Sequence, residues 1–373
     1  KNKKTIFDLY YEWWKNIDRF LFFLIIFLFI IGLFFSLVST SLLASDKLET
    51  NDYTFFFKHL TFVILGLIII FILSSINEEK LVKISPMIFI LSLFSLMLVP
   101  IIGVEVNSAQ RWIDLYMLPR FQPIELVKPF LIILLSLILS NEKYNNVYLK
   151  YFFSFLLTLL IALLLAAQPD IGQILLIFFS WSVLIFISGI NIIFLITSSL
   201  IIFMTLYLSI NFIPKFEYIK SRILSFFNTE TGTHNAQSEK AIDSITSGGF
   251  FGKGIGEGTL KNRVPEAHTD YIISVISEEF GVIAIILILL LFLIFIYSVF
   301  KKVYLVQDER TKLILVGCVS LILVQAMIHI GVNIRLFPTT GMTLPFISYG
   351  GSSIISISIL SGIILNLTKR KIH

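Results

Sequence analysis

Apolar runs long enough to cross the hydrocarbon core of a bilayer, about 30 Å, recur along this chain of 373 residues. The runs at 21–35 and 282–300 are apolar on nearly every side and lack the alternation of a β-barrel strand. A backbone in lipid must satisfy its own polar groups, which a helix does. With 57% hydrophobic and only 14% charged residues, the sequence predicts an all-α polytopic membrane protein.

Ten transmembrane helices are predicted from the apolar runs. They form a single membrane domain over 1–373, with a short segment at 1–19, a long polar loop at 213–270 between helices 7 and 8, and a tail at 368–373. The predicted spans are 20–43, 59–77, 84–102, 124–140, 152–168, 172–189, 191–212, 271–300, 312–333 and 345–367. The first run is too long for a cleaved signal peptide, so we expect an uncleaved first helix.

The lysines and arginines indicate an orientation. Placing both termini in the cytoplasm puts most of the basic residues in the short loops on the cytoplasmic side, and the loop at 213–270 then faces outward. We attribute the formal net charge of +5 to this topology rather than to an anionic partner, and we expect no nucleic acid. Cys318 is the one cysteine, which excludes a disulfide within the chain and a cysteine metal site.

Charged residues at the membrane edge form a first group of candidates. Arg111 and Trp112 precede Glu125 and Lys128, which lie three residues apart on a helix that Pro123 can begin. This spacing puts the carboxylate and the ammonium on one face, where they can pair. The pair either fixes helix packing or lines a cavity, and the spacing leaves both interpretations open.

A second group is the polar break at 168–173 between two apolar runs. Pro169 removes a backbone donor, and Asp170 can accept from the free amides of the next helix. We favour helix capping by Asp170 over direct chemistry.

The third group lies in the long loop. Glycines at 248–258 surround Lys253, and such glycines can form an anion-binding nest or a flexible re-entrant loop. The segment lacks the ending of a nucleotide P-loop and the strand of a dinucleotide fold, so no organic cofactor is expected.

Glu266, His268 and Asp270 form a titratable cluster where the loop meets helix 8. The dipole of that helix favours an ionised carboxylate at Asp270, which can act as a base, bind a metal or cap the helix. His268 has no second histidine at ligand spacing, so we favour a satisfied or solvent-facing imidazole.

Several separated motifs resemble one family in the same order. They are Arg-Trp-Ile at 111–113, Phe-Gln-Pro-Ile-Glu-Leu-Val-Lys at 121–128, Gln-Pro-Asp at 168–170, Pro-Glu-Ala-His-Thr-Asp at 265–270, Ser-Glu-Glu-Phe-Gly at 277–281 and Pro-Thr-Thr-Gly-Met-Thr-Leu-Pro-Phe-Ile-Ser-Tyr-Gly-Gly-Ser-Ser at 338–353. The chain resembles the shape, elongation, division and sporulation family over essentially its whole length. The stretch at 342–346 is more similar to the division members than to the elongation members, whereas Thr340 stands where division members often have lysine.

This resemblance implies a peptidoglycan glycosyltransferase of the cytoplasmic (inner) membrane that polymerises lipid II on the outer face, for septal wall synthesis in cell division. It joins the sugars by β-1,4 bonds with inversion and releases undecaprenyl pyrophosphate. By the family pattern Asp270 is the essential carboxylate, either as a general base or as the holder of Mg²⁺ or Mn²⁺. Glu125 and Lys128 would line the central cavity with Trp112 near its rim, and Arg222 and Lys253 are further candidates for phosphate contact.

The resemblance also implies partners, namely a class B penicillin-binding protein that crosslinks the strands and other membrane proteins of cell division. Two other functions stay open on the residues alone. A lipid II flippase could use the same cavity and buried charges, and a non-catalytic scaffold could position the transpeptidase without chemistry of its own.

Overall fold

The protein is represented by a computed structural model, which describes residues 6–40, 53–106, 109–114, 119–142, 146–190, 192–212, 217–227, 233–259 and 267–369. Nearly all regular structure in these ranges is helical. The helices are α1 (Ile6–Asn16), α2 (Arg19–Thr40), α3 (Thr54–Ser75), α4 (Glu78–Ile102), α5 (Pro123–Leu139), α6 (Val147–Ala166), α7 (Ile171–Ile187), α8 (Ile192–Phe212), α9 (Glu217–Phe227), α10 (Thr233–Gly248), α11 (Ile272–Leu305), α12 (Glu309–Asn333) and α13 (Gly351–Leu367).

Within the described ranges, seven helices are long and apolar enough to cross a membrane, namely α2, α3, α4, α6, α8, α11 and α12. The shorter apolar helices α7 and α13 also coincide with predicted spans, as does α5. The prediction of a polytopic helical membrane protein is therefore confirmed. The strands of the described residues form one antiparallel hairpin of β1 (Val104–Val106) and β2 (Ala109–Trp112), with Glu105 opposite Gln110.

Helix α12 lies at the centre of the described fold, with 78% of its apolar window buried, and it packs against α5, α7, α11 and α13. In contrast, only 11% of the corresponding window of α8 is buried. Small residues allow the inner helices to approach closely. A methyl group on Gly317 of α12 would lie 2.4 Å from Ile132 of α5, and one on Gly66 of α3 would lie 2.3 Å from Ser358 of α13.

The segment before the first predicted span is structured where it is described. Near the end of α1, Trp13 is buried, and its indole Nε1 donates to Ser74 Oγ at 2.8 Å. Asp18 follows α1 and lies 2.6 Å from Lys302 at the end of α11. Burial favours a higher pKa for Asp18, but the Lys302 ammonium and the Leu21 amide outweigh it and hold the pKa below the ordinary value of 3.8. These contacts attach the N-terminal segment to α3 and α11.

Helix α11 is broken, whereas the sequence predicted one continuous span at 271–300. Gly281 has φ 75° and ψ −179°, which only glycine adopts readily. The nine residues before this break are buried apart from Phe280, and the helix after it is largely exposed. The hydropathy of 282–300 predicted the second part of α11. A single glycine does not interrupt an apolar run, so the apolar pattern did not predict the break.

The glycine segment, 248–258, packs onto this break. Lys253 N donates to the Glu278 carbonyl and Gly254 N to the Glu279 carbonyl, at 2.9 and 3.0 Å. Gly256 N donates to Glu279 Oε1 at 3.2 Å. These three amides are thus used in contacts with 278–279. The predicted loop at 213–270 also contains two helices, α9 and α10, and α10 packs against α11.

The last helix begins at Gly351, six residues later than the predicted start at 345. Pro345 and Phe346 form a turn instead, in which Phe346 has φ 66° and Ser348 N donates to the Leu344 carbonyl at 3.0 Å. The Phe346 ring is buried against Phe29 and Phe295. This turn leaves the backbone at 341–350 free of helix and places it beside the site described next.

Candidate active site

A cavity of about 710 Å³ lies where α3, the hairpin, α5, α7, α12, α13 and the turn before α11 meet. Its walls combine carboxylates, cations, amides and aromatic rings. The lining residues are Lys58, Phe62, Val106, Ala109, Arg111, Trp112, Pro119, Arg120, Gln122, Glu125, Asp170, Gln173, Thr269, Asp270, Gln325, Gly341, Met342, Thr343, Tyr349, Gly350, Gly351 and Ser353. The predicted candidates Asp270, Arg111, Trp112 and Glu125 are all among them.

Asp270 lies in the turn that leads into α11, and its side chain is half-buried at the cavity wall. The residue at the N-cap of α11 is Tyr271, which makes no capping hydrogen bond through its side chain. Asp270 therefore stands one residue before the cap. Its carbonyl accepts from Asn333 Nδ2 at 3.0 Å, and its Oδ2 faces Gly341, 3.6 Å from where a β-carbon would lie.

Glu125 and Lys128 form the buried pair that their spacing predicted. Lys128 Nζ lies 2.8 Å from the Glu125 carboxylate, and their exposures are 1% and 3%. Gln173 Nε2 donates to the same carboxylate at 2.9 Å, and Lys128 Nζ donates to Gln325 Oε1 at 3.4 Å. Glu125 lines the cavity, whereas Lys128 lies directly behind it. The pair thus both joins α5, α7 and α12 and forms part of the wall.

Asp170 has two roles in the structure. Its Oδ1 accepts from Gln173 N at 3.4 Å, which confirms the predicted cap of α7. Its Oδ2 accepts from Gln122 Nε2 at 3.0 Å and lies 3.6 Å from Arg111 Nε. Arg111 also donates to the carbonyls of Gln168 and Pro169. Arg111 is therefore held at the cavity wall by the polar break at 168–173.

The cavity also carries cations near its exposed side. Lys58 is an exposed residue of α3 with its ammonium 5.8 Å from the Phe55 ring centre, and Arg120 pairs with Asp114 at 3.0 Å. Together with Arg111 they give one cavity three basic side chains. Basic groups of this kind suit phosphate oxygens.

Lys253 and His268, like Lys128, are predicted candidates that do not line the cavity in the described residues. Lys253 lies 3.3 Å from the buried Glu278 carboxylate, and the His268 ring packs 4.6 Å from the Phe55 ring centre. His268 still adjoins the site, because its carbonyl accepts from the amide of Tyr349 at 3.2 Å. Glu266 and the side chain of Arg222 lie outside the described residues.

Several polar residues of the site were not among the sequence-based candidates, among them Lys58, Arg120, Gln173, Gln325 and Tyr349. The two glutamines stand inside apolar helices, and a polar residue at that depth is a signal that would have found them. Lys58 was assigned only to membrane topology. Thr340, at the position where division members often have lysine, lies against Gly172 and does not line the cavity.

Asp270 could contribute one oxygen ligand to a divalent cation. Within the described residues, no group of three or more histidine, cysteine, aspartate or glutamate side chains is arranged to hold a metal ion. A magnesium-like ion can be bound through one carboxylate together with water and substrate phosphates, so the donor set fits an open site of that kind.

The sequence model of the FtsW/RodA/SpoVE family of cell cycle proteins matches residues 18–373 of this chain. The chain belongs to this family. It is 32% identical to the probable peptidoglycan glycosyltransferase FtsW of Haemophilus influenzae, over 96% of this chain and 93% of that protein. It is 35% identical to the protein of that name from Buchnera aphidicola subsp. Schizaphis graminum, over 86% of this chain and 92% of that protein.

Solved structures show the same fold. A chain from a study of the structural coordination of polymerization and crosslinking by a peptidoglycan synthase complex superposes with a TM-score of 0.77 at 26% identity, covering 94% of this chain and 97% of that chain. The rod shape determining protein RodA of Thermus thermophilus gives a TM-score of 0.69 at 26% identity, covering 94% and 96%. Family membership, expected from the motifs, is thus confirmed over nearly the whole chain.

Proposed function

We propose that this protein is a peptidoglycan glycosyltransferase that polymerises lipid II into β-1,4 glycan strands for the septal wall in cell division. The observation that carries the proposal is the half-buried Asp270 carboxylate in the wall of a cavity that also presents three basic side chains. Similarity to proteins named as FtsW supports the reaction and the role in division.

Asp270 acts on the acceptor sugar in this proposal. Its carboxylate takes the proton of the attacking 4-hydroxyl group as that oxygen forms a bond to the anomeric carbon of the donor. The bond from the anomeric carbon to the phosphate oxygen breaks, and its electron pair leaves with undecaprenyl pyrophosphate. A single displacement inverts the α-linked donor into a β-linked product, so no covalent enzyme intermediate is required.

The basic residues act on the leaving group. Arg111, Lys58 and Arg120 line the same cavity, and a fixed cation stabilises charge that develops on a diphosphate as the bond breaks. Arg111 suits this role best, because Asp170 and two backbone carbonyls already hold its guanidinium in place. Trp112 and Tyr349 offer ring surfaces on which a sugar can pack.

The alternative to base catalysis in this proposal is that Asp270 holds a divalent cation. Asp270 would hold Mg²⁺ or Mn²⁺ with water and diphosphate oxygens, and the ion would supply charge neutralisation for the leaving group. Removal of divalent cations by a chelator then lowers the rate, and either ion restores it.

The topology of the proposal follows the charge distribution. Ten helices cross the membrane, both termini are cytoplasmic, and the cavity with Asp270 opens on the outer face, where the long loop at 213–270 lies. The partner in this setting is a class B penicillin-binding protein, and similarity to a chain of a peptidoglycan synthase complex supports such an assembly. Other division membrane proteins would join through the same complex.

The test separates polymerisation from transport. The purified protein, with its class B penicillin-binding protein, is given lipid II in proteoliposomes, and glycan strands and lipid II translocation are measured in parallel. The proposal predicts glycan strands and released undecaprenyl pyrophosphate. Translocation of intact lipid II without glycan would favour a flippase instead, for which the cavity and its buried ion pair would serve as a path.

A further inference from the structure

One face of α12 carries three buried polar side chains at a spacing of four residues: Gln325, His329 and Asn333. These three side chains form the α12 polar stripe. Their exposures are 3%, 0% and 0%, and most of the other buried residues of α12 are apolar. Polar groups buried in a membrane helix are costly and usually serve a function. Of the three, only Gln325 lines the cavity.

Each member of the stripe holds a different part of the site. Asn333 Nδ2 donates to the Asp270 carbonyl at 3.0 Å and to the His329 carbonyl at 2.9 Å. His329 Nδ1 lies 2.7 Å from the Met342 carbonyl. A carbonyl only accepts, so Nδ1 carries the proton and donates. Gln325 Nε2 donates to the Thr343 carbonyl at 3.0 Å.

These contacts hold both sides of the Asp270 carboxylate. Asn333 fixes the backbone of Asp270 itself, and His329 fixes Met342, next to the glycine that faces the carboxylate. The two segments are also tied to each other, because the amide of Tyr349 donates to the His268 carbonyl. One buried helix therefore contacts both the backbone of Asp270 and the segment that its carboxylate faces.

His329 and Asn333 are only partly satisfied by this arrangement. Among the described residues, His329 Nε2 and Asn333 Oδ1 are buried without a hydrogen-bond partner. A role in packing alone would be met better by apolar side chains of similar size, since an unpaired buried polar atom costs stability. His329 Nδ1 and Asn333 Nδ2, in contrast, both donate to backbone carbonyls of the site.

We propose that His329 and Asn333 are positioning residues for the Asp270 carboxylate, acting through the Met342 and Asp270 carbonyls. The inference rests on the proposed function for its kinetic part. Its structural part, the immobilisation of the Asp270 turn and the segment at 341–344, stands whether or not the protein polymerises lipid II.

The variants follow from the geometry of the two side chains. Asn Nδ2 and His Nδ1 are both bonded to the γ-carbon, so each residue can supply an N–H at the position of the other. His329→Leu and Asn333→Leu remove the donors. His329→Asn keeps a donor for the Met342 carbonyl, and Asn333→His keeps one of the two N–H donors of Asn333, for the Asp270 carbonyl. Asn366→Leu is the matched control, because Asn366 is a buried amide of α13 that also donates to two carbonyls, those of Leu73 and Ile76, away from the cavity.

Hydrogen–deuterium exchange in nanodiscs tests the structural part. We expect faster exchange of peptides covering 267–271 and 341–349 in both leucine variants, protection near that of the wild type in the exchanged-donor variants, and no change there in Asn366→Leu. Unchanged exchange in both leucine variants would overturn the proposal. So would an equal increase in Asn366→Leu, which would indicate general loosening.

Steady-state polymerisation of lipid II by the complex tests the kinetic part. Misplacement of a catalytic group by about 1 Å costs on the order of a hundredfold, so we expect kcat to fall about tenfold to a hundredfold in the leucine variants with KM within about twofold. The exchanged-donor variants recover most of kcat. A rise in KM alone would overturn positioning. If the wild type makes no glycan but the exchange pattern is as expected, the proposed function fails while the positioning of Asp270 is upheld.

Discussion

At the scale of single residues, charged and amide side chains inside apolar helices build the site. The pairing of Glu125 with Lys128 and the cap by Asp170 were predictable, because both depend on spacing within a few residues. The contact of Lys128 with Gln325 was not predictable, because it joins residues 197 positions apart. A glutamine inside an apolar helix is also a weaker sequence signal of a functional site than a charged residue.

The buried pair gives a prediction at this scale. Lys128→Met leaves the Glu125 carboxylate buried without its cation, a change that costs about 3–5 kcal/mol in comparable sites. We expect a large loss of thermal stability in detergent, with most of it regained in the double variant Glu125→Gln/Lys128→Met. Lipid II polymerisation is expected to stay low in the double variant, because Glu125 lines the cavity.

The alternatives for this pair are separated by the double variant. Recovery of both stability and full polymerisation would show that the pair serves only helix packing. Gln173 provides the control, since Gln173→Leu removes a hydrogen bond from an uncharged donor to the same carboxylate and leaves the ion pair in place. We expect a smaller loss of stability from it, of about 1.5–3 kcal/mol.

At the scale of elements, spans were predictable and breaks were not. Each predicted span overlaps a helix in the described residues, and seven of these helices are long and apolar enough to cross a membrane, because an apolar run of sufficient length has few other structures in lipid. The break at Gly281 and the late start of α13 depend on tertiary contacts, with the glycine segment and with Phe29 and Phe295 respectively. Apolar composition contains no signal for either.

The break in α11 gives the prediction for this scale. A β-carbon on Gly281 would lie 2.1 Å from the Phe250 carbonyl oxygen, in addition to its unfavourable φ of 75°. Gly189 has a similar φ of 81° but no atom within 4 Å of the same position. The backbone strain alone costs about 1–2 kcal/mol, so Gly189→Ala gives a modest loss of thermal stability.

Gly281→Ala is expected to lose clearly more stability than this control and to speed hydrogen exchange in the glycine segment. Equal losses in the two variants would show that the glycine segment does not clamp the break. The measurement is a pair of thermal unfolding curves in the same detergent, with exchange of the peptide covering 248–258.

At the scale of the whole molecule, the positive charges predict which side of the membrane each end of α11 faces. Phe251 in the glycine segment and Tyr304 at the end of α11 are 84% and 88% exposed. Cysteine at each position, in a Cys318→Ser background, reports sidedness through a membrane-impermeant maleimide. We expect labelling of Phe251→Cys in intact cells and of Tyr304→Cys only after permeabilisation. The reverse pattern would contradict an outward-facing cavity.

The family and the general architecture were predictable at this scale from a few motifs, several of which lie at the cavity. Residues 121–128 form the entry and the first turns of α5, and residues of the stretch at 338–353 line the cavity and face Asp270. The phosphate role predicted for Lys253 lacks this support, because its ammonium lies beside Glu278 and away from the cavity. Lys58, which the sequence offered only as a topology charge, takes a place at the cavity instead.

The measurement that tests the central claim most directly is the rate of glycan formation from lipid II by the complex carrying Asp270→Asn. Asp243→Asn is the matched control, since Asp243 is an exposed carboxylate of α10 that does not line the cavity. Loss of general base catalysis costs about a hundredfold or more. We therefore expect at least that loss in Asp270→Asn, with complex formation and thermal stability retained, and the wild-type rate in Asp243→Asn. Glycan formation by folded Asp270→Asn at the wild-type rate would contradict the account.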